Sequence, residues 1–157
     1  MHPNAELLTR FYAAFAAGDH ATMAACYADD ATFSDPVFPE LDAEGARAMW
    51  RMFCTGGNDI DVSFSVVRAD DSSGSANWEA IYAFPKTGNR VHNKIAASFR
   101  FRDGLIAHHR DDFDFYKWSR MALGPLGTTL GWSPIVKNQV RHQAAAQLKR
   151  FRAKAHD

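Results

Sequence analysis

The hydrophobic period of this chain changes from helical to alternating at Asp59, and that change limits the folds open to it. Before it, apolar residues recur at helical spacing, with Leu8, Phe11, Tyr12 and Phe15 in one stripe and Ala46, Met49, Trp50 and Phe53 in another. After it, Ile60, Val62, Phe64 and Val66 alternate with Asp61, Ser63 and Ser65, the period of a half-buried strand. Helices first and strands afterwards is an α+β order, with helices gathered on one face of a largely antiparallel sheet.

Punctuation residues place the elements. Asn4 predicts the cap of the first helix and Gly18 its end; Asp19 opens a second, shorter helix carrying Met23, Cys26 and Tyr27. Pro36 and Pro39 forbid helix, so the Asp35 segment runs extended, and Asp42 opens a third helix stopped by Gly56-Gly57. Asp70 to Gly74 reads as a loop, Trp78, Ala80, Tyr82 and Phe84 mark a strand, and Pro85 to Asn89 turns the chain back. A long strand follows from about Val91 to Arg102, and Asp103-Gly104 is a two-residue hairpin signal pairing it with a strand from Leu105 to about Tyr116. Gly124-Pro125-Leu126-Gly127 and Gly131-Trp132-Ser133-Pro134 read as an apolar loop that packs. Val136, Val140, Ala144, Leu148 and Phe151 then mark a final amphipathic helix, made basic by Lys137, Arg141, Lys149, Arg150, Arg152 and Lys154.

A chain of 157 residues is long enough for one core without disulfides or metal. Lys plus Arg and Asp plus Glu both number 18, so the whole-chain charge offers no reason to expect nucleic acid. Cys26 and Cys54 fall in separate helical patterns and the start has no basic-then-apolar segment, which predicts a cytoplasmic protein. No apolar run approaches the roughly 20 residues of a membrane span. The basic tail can lie on an anionic membrane, but packing on its own domain or on a second copy is the commoner use of such a helix, so membrane association is not expected. Phosphate loops, nucleophile elbows, Cys-x-x-Cys pairs and dinucleotide fingerprints are absent, and no cofactor is predicted.

Two places carry chemistry. Asp35 puts a carboxylate in an otherwise apolar strand, where lost hydration raises its proton affinity toward that of a general base; the other reading is an aspartate bonded to the amides of the Pro36 turn. In His108-His109-Arg110-Asp111-Asp112-Phe113-Asp114, strand period puts His109, Asp111 and Phe113 on one face and the mixed-charge remainder on the other. His109 and Asp111 read either as an acid-base pair or as a buried hydrogen-bonded pair. They could be drawn with Asp35 as a metal site, but one histidine without a spacing signature does not predict one.

Ala17-Gly18-Asp19, Tyr27-Ala28-Asp29-Asp30-Ala31-Thr32 and Asp35-Pro36-Val37 resemble the bacterial ketosteroid isomerases of the SnoaL-like, or nuclear transport factor 2-like, superfamily. The likeness runs over roughly residues 5 to 118 and implies a curved sheet wrapped around the N-terminal helices as an open cone, whose cavity is the ligand site. Residues 1–118 are then the cone domain, and residues 119–157 an apolar loop and helix packed on it. The resemblance also implies a homodimer through the sheet, with His92 and Lys94 facing outward.

By the same resemblance Asp35 is the proton-shuttling base, but the positions of the isomerases' two oxyanion donors are held by Phe11 and Ala97, which donate nothing. Tyr12 is no substitute, being turned about 100° around the helix. Steroid isomerisation is therefore not expected. The expected catalytic set is Asp35 as base, His109 as a second acid-base group and Asp111 as its orienter. Phe11, Tyr12, Phe15, Trp50, Phe53, Trp78, Tyr82, Ala97, Phe99 and Phe113 are the expected cavity wall, though aromatics at these periods also read as plain core. The expected ligand is a small apolar molecule, handled by acid-base chemistry of isomerase, cyclase or hydrolase type. The alternative is a non-catalytic ligand-binding or assembly module.

Overall fold

The computed structural model describes residues 1–56 and 59–155; Gly57, half of the expected stop of the third helix, lies outside them. The chain runs α1 (Pro3–Ala16), α2 (His20–Ala25), β1 (Tyr27–Ser34), β2 (Leu41–Asp42), α3 (Ala43–Thr55), β3 (Asp61–Ala69), β4 (Ser73–Ala83), β5 (Arg90–Arg102), β6 (Leu105–Asp112), α4 (Phe115–Leu123), α5 (Pro125–Leu130) and α6 (Pro134–Lys154). The fold is α+β, as the period change requires. Six strands form one curved mixed sheet in the order β2-β1-β6-β5-β4-β3, antiparallel except for β1 beside β6. The N-terminal helices lie on its inner face, where Leu8, Phe11, Tyr12, Phe33, Met49 and Trp50 are all but sealed from solvent.

Sequence alternation is read most directly on β5, where buried and exposed residues alternate without interruption from Arg90 to Arg102. Asp103 and Gly104 both take positive φ, 54° and 76°, the conformation of the hairpin turn that their side chains favour. Asp19 and Asp42 cap α2 and α3 by accepting the N–H groups of Thr22 and Gly45 at 3.1 and 2.7 Å.

Other expectations are corrected. Helix α1 is capped by His2 rather than Asn4, with Pro3 at its first turn, where a missing N–H costs nothing. Tyr27 opens β1 instead of closing α2, and Asp35 follows β1 instead of lying within it. Val66 sits in a bulge at φ 52°, 54% exposed, because the β3–β4 register slips between Ser65 and Arg68 and hands the inner face to Val67 and Ala69. Gly74 belongs to β4, paired with Phe99. The last strand stops at Asp112 rather than near Tyr116, and Asp114 caps α4. The loop from Gly124 to Trp132 contains α5, which Gly127 allows to approach α4; a Cβ there would meet the Ser119 carbonyl oxygen at 1.9 Å. Among the described residues no helix is long and apolar enough to cross a membrane.

Candidate functional site

A cavity of about 640 Å³ opens between the inner face of the sheet, α3, α4 and α6. Of the expected wall, Phe15, Trp50, Phe53, Trp78, Tyr82 and Phe113 face it. Phe11, Tyr12, Ala97 and Phe99 do not, because they are packed into the core behind it. Phe11 stands edge-on to Trp50 and Tyr27 at 5.7 and 5.6 Å, Phe99 lies 4.3 Å from the His109 ring, and Ala97 backs Asp111 across the β5–β6 ladder. Tyr12 is fully buried against Phe64 and Trp78, and its hydroxyl is the one buried side-chain oxygen without a partner among the described residues.

Asp35 reaches this cavity from the end of β1. Ser34 pairs with Arg110 in the parallel ladder, so the next residue of each strand brings Asp35 alongside Asp111, and both carboxylates line the cavity. The Oδ1 of Asp35 accepts the N–H groups of Val37 and Phe38 at 2.7 and 2.6 Å, closing the turn around Pro36. Both sequence readings therefore share one geometry: Oδ1 holds the turn, and Oδ2 has no protein partner among the described residues. Burial is the main force on this group, and with the nearby charge of Asp111 it pushes the pKa up to about 7 against the two amide bonds and Arg141.

His109 and Asp111 are joined, with the histidine sealed in the core and the aspartate at the cavity. His109 is 0% exposed and does not touch the cavity. Its ring is enclosed by Phe11, Phe33, Trp50 and Phe99. Indole N–H groups only donate, so Trp50 Nε1 donates to the Tyr27 hydroxyl at 2.9 Å, and that hydroxyl's own proton turns to His109 Nδ1 at 2.7 Å. The network thus assigns the proton of His109 to Nε2, which donates to Asp111 Oδ1 at 2.8 Å. Trp78 Nε1 adds a long contact of 3.4 Å to the same oxygen, and Asp111 Oδ2, like that of Asp35, has no protein partner among the described residues. Histidine is the buried member of the pair and aspartate the cavity-facing one.

On the strands of the sheet, two further polar groups face the cavity. Trp118 Nε1 donates to the Tyr82 hydroxyl at 2.8 Å, so the Tyr82 proton is left to donate elsewhere; burial, opposed by this bond and helped by the Asp35 charge, raises its pKa and keeps it protonated. Asn93, 9% exposed, has a side-chain amide with no protein partner among the described residues. Its signal was present in the sequence, as the one polar residue in the inward series Val91, Asn93, Ile95, Ala97 and Phe99. Tyr27 carried no such signal, since its role depends on two residues far away in the chain.

The SnoaL-like domain model matches residues 8–109, well over half of the chain, and the protein belongs to that family. Among solved structures, an LEH-like epoxide hydrolase of M. tuberculosis is similar at 20% identity and TM-score 0.65, over 82% of this chain and 95% of its own. IdmH of Streptomyces antibioticus, a candidate polyketide cyclase, is similar at 20% identity and TM-score 0.62, over 74% and 96%. An NTF2-like protein of unknown function from Burkholderia pseudomallei K96243 reaches TM-score 0.65 at 14% identity, over 77% and 98%. At such identities the likeness is one of fold. No curated protein is significantly similar in sequence.

Proposed function

We propose that the protein is a cofactor-independent acid-base enzyme that acts on a small, largely apolar molecule in this cavity. The observation that carries the reading is Asp35, a carboxyl with a pKa near 7 and one unpartnered oxygen in an aromatic cavity. A group of that proton affinity exchanges a proton at neutral pH, as a general base must. Asp35 takes a proton from carbon beside a carbonyl, or from a water; Asp111, oriented by His109, is its partner, receiving or returning that proton. Tyr82 and Asn93 supply hydrogen bonds to the oxygen where negative charge gathers, in place of the donors that Phe11 and Ala97 cannot be. The resulting chemistry is of isomerase, cyclase or hydrolase type, the last two being the classes named for the similar structures. The free cysteines Cys26 and Cys54 fit a cytoplasmic setting, and the outer face of the sheet, with His92 and Lys94, is the surface for a second copy.

The test is turnover by wild type and Asp35→Asn on enolisable polycyclic ketones in heavy water and on apolar epoxides, read by mass spectrometry. The reading expects deuterium uptake or hydrolysis that rises through pH 7 and falls 10²- to 10⁴-fold in the variant. Ligand-induced thermal shifts equal in both proteins, with turnover in neither, would favour a non-catalytic binding module, the reading supported by the burial of Phe11 and Ala97 at the donor positions.

A further inference from the structure

The charged groups of the cavity are sorted by depth. Its two carboxylates, Asp35 and Asp111, belong to the floor, whereas its cationic side chains stand at the exposed mouth: Lys86 on the β4–β5 turn and Arg150 on α6, with His142 between them in the sequence of the rim. Among the described residues no acidic side chain joins them there. This local sign is part of a wider asymmetry, since residues 115–155 contain eight Lys and Arg and no Asp or Glu, in a chain whose total charge is zero. Lys86 is kept at the mouth by donating to Gln143 Oε1 at 2.6 Å, and among the described residues no carboxylate pairs with its charge. Between floor and mouth the wall is aromatic and aliphatic, interrupted by the unpartnered amide of Asn93.

We propose that the natural ligand is an organic acid: an apolar, ring-sized body that fills the aromatic interior, an oxygen that meets the Asn93 amide, and an anionic group left at the mouth beside Lys86 and Arg150. This rests on the reading of the cavity as a ligand site, not on the catalytic role of Asp35. An anion placed at the mouth meets positive potential and stays hydrated, whereas the same group at the floor would meet Asp35 and Asp111. The polarity of the cavity therefore orients the ligand as well as selecting it, bringing the end away from the acid group to the carboxylates.

The experiment compares anthracene-2-carboxylate with its uncharged amide, anthracene-2-carboxamide, by fluorescence titration of wild type, Asn93→Leu and the double variant Lys86→Gln/Arg150→Gln, each with circular dichroism to establish folding. In low salt the acid is expected to bind wild type about 10-fold more tightly than the amide, the effect of two exposed charge contacts. That preference is expected to shrink several-fold at 0.3 M NaCl and to vanish in the double variant. Asn93→Leu, which alters the wall and not the mouth, is expected to leave the ratio of acid to amide affinity unchanged, because neither probe carries an oxygen for that amide. Equal affinity for acid and amide in wild type, or a preference unchanged in the double variant, would overturn the proposal while leaving the cavity a ligand site. Failure of both probes to bind wild type would overturn the ligand-site reading and this proposal with it. Asp35→Asn separates the two ideas further, because it is expected to keep the preference for the acid whether or not it abolishes turnover.

Discussion

β6 and α6 both border the cavity, but they are held there in opposite ways. On β6 the polar groups turned inward are fixed by bonds within the core: His109 bonds through both ring nitrogens, and Asp111 is held through Oδ1 by His109 and Trp78. On the 21 residues of α6, only Val136 and Leu148 are buried, and one side-chain bond, from Arg141 Nε to the Pro36 carbonyl at 2.8 Å, ties its middle to the Asp35 turn. The difference separates two tasks. A floor whose rotamers are locked by packing can hold a reacting group in place, whereas a mouth with few contacts can change its side chains, and so its ligand, at little cost to the fold.

The strongest way to break this comparison is from the floor. Trp50→Ala removes the ring that stacks on His109 and donates to Tyr27, and is expected to cost about 3–5 kcal/mol in urea unfolding. Asp35→Asn should act in the opposite direction. In the folded protein the carboxyl keeps its proton up to about 7, whereas the unfolded chain releases it near 3.8, so the native state binds the extra proton between those values and loses stability as pH rises through them. Relieved of that ionisation, the variant is expected to be more stable than wild type by roughly 2–4 kcal/mol at pH 8 and little changed at pH 4. Equal pH profiles for the two proteins would remove Asp35 as the strained group of the floor.

Smaller effects sharpen the contrast. Tyr27→Phe leaves Trp50 Nε1 and His109 Nδ1 buried without partners and is expected to cost about 1–3 kcal/mol. Arg141→Gln removes a bond to the Asp35 turn, an expected loss of about 1 kcal/mol. Because the Arg141 charge holds the Asp35 pKa down, a carboxyl titration followed by NMR should move upward in that variant. Lys149→Ala, on the exposed face of α6, is expected to stay within about 0.5 kcal/mol of wild type; a loss of 2 kcal/mol there would end the claim that the mouth is loosely held.

Much of this was legible in the chain because it depends on local patterns. The alternation of β5, the turn residues Asp103-Gly104, the caps Asp19 and Asp42 and the Asp35-Pro36-Val37 step each act within a few residues, and together with the family resemblance they identified the SnoaL-like cone. Bulges broke the pattern where the register slips. One in β3 turns Val66 outward, and one in β6, between the pairs Arg100↔His108 and Phe101↔Ile106, brings Ile106 to the same face as His109. Such slips are set by the partner strand, so period counting along a single strand does not register them.

The sequence by itself determined which residues are the candidates for chemistry: a carboxylate before Pro36, and a His and Asp two residues apart on the inward face of one strand. It also fixed their strand face, because side chains alternate by covalent geometry alone. Only the tertiary structure decided what each of them does. Direction in a hydrogen-bond chain depends on every member, and the Trp50 to Tyr27 to His109 to Asp111 order joins residues up to 84 positions apart in the sequence, making the histidine a buried support and the aspartate the group that meets the cavity. The raised proton affinity of Asp35 was expected from its apolar neighbours, but the charge of Asp111 that adds to it comes from across the ladder, which only the fold brings near.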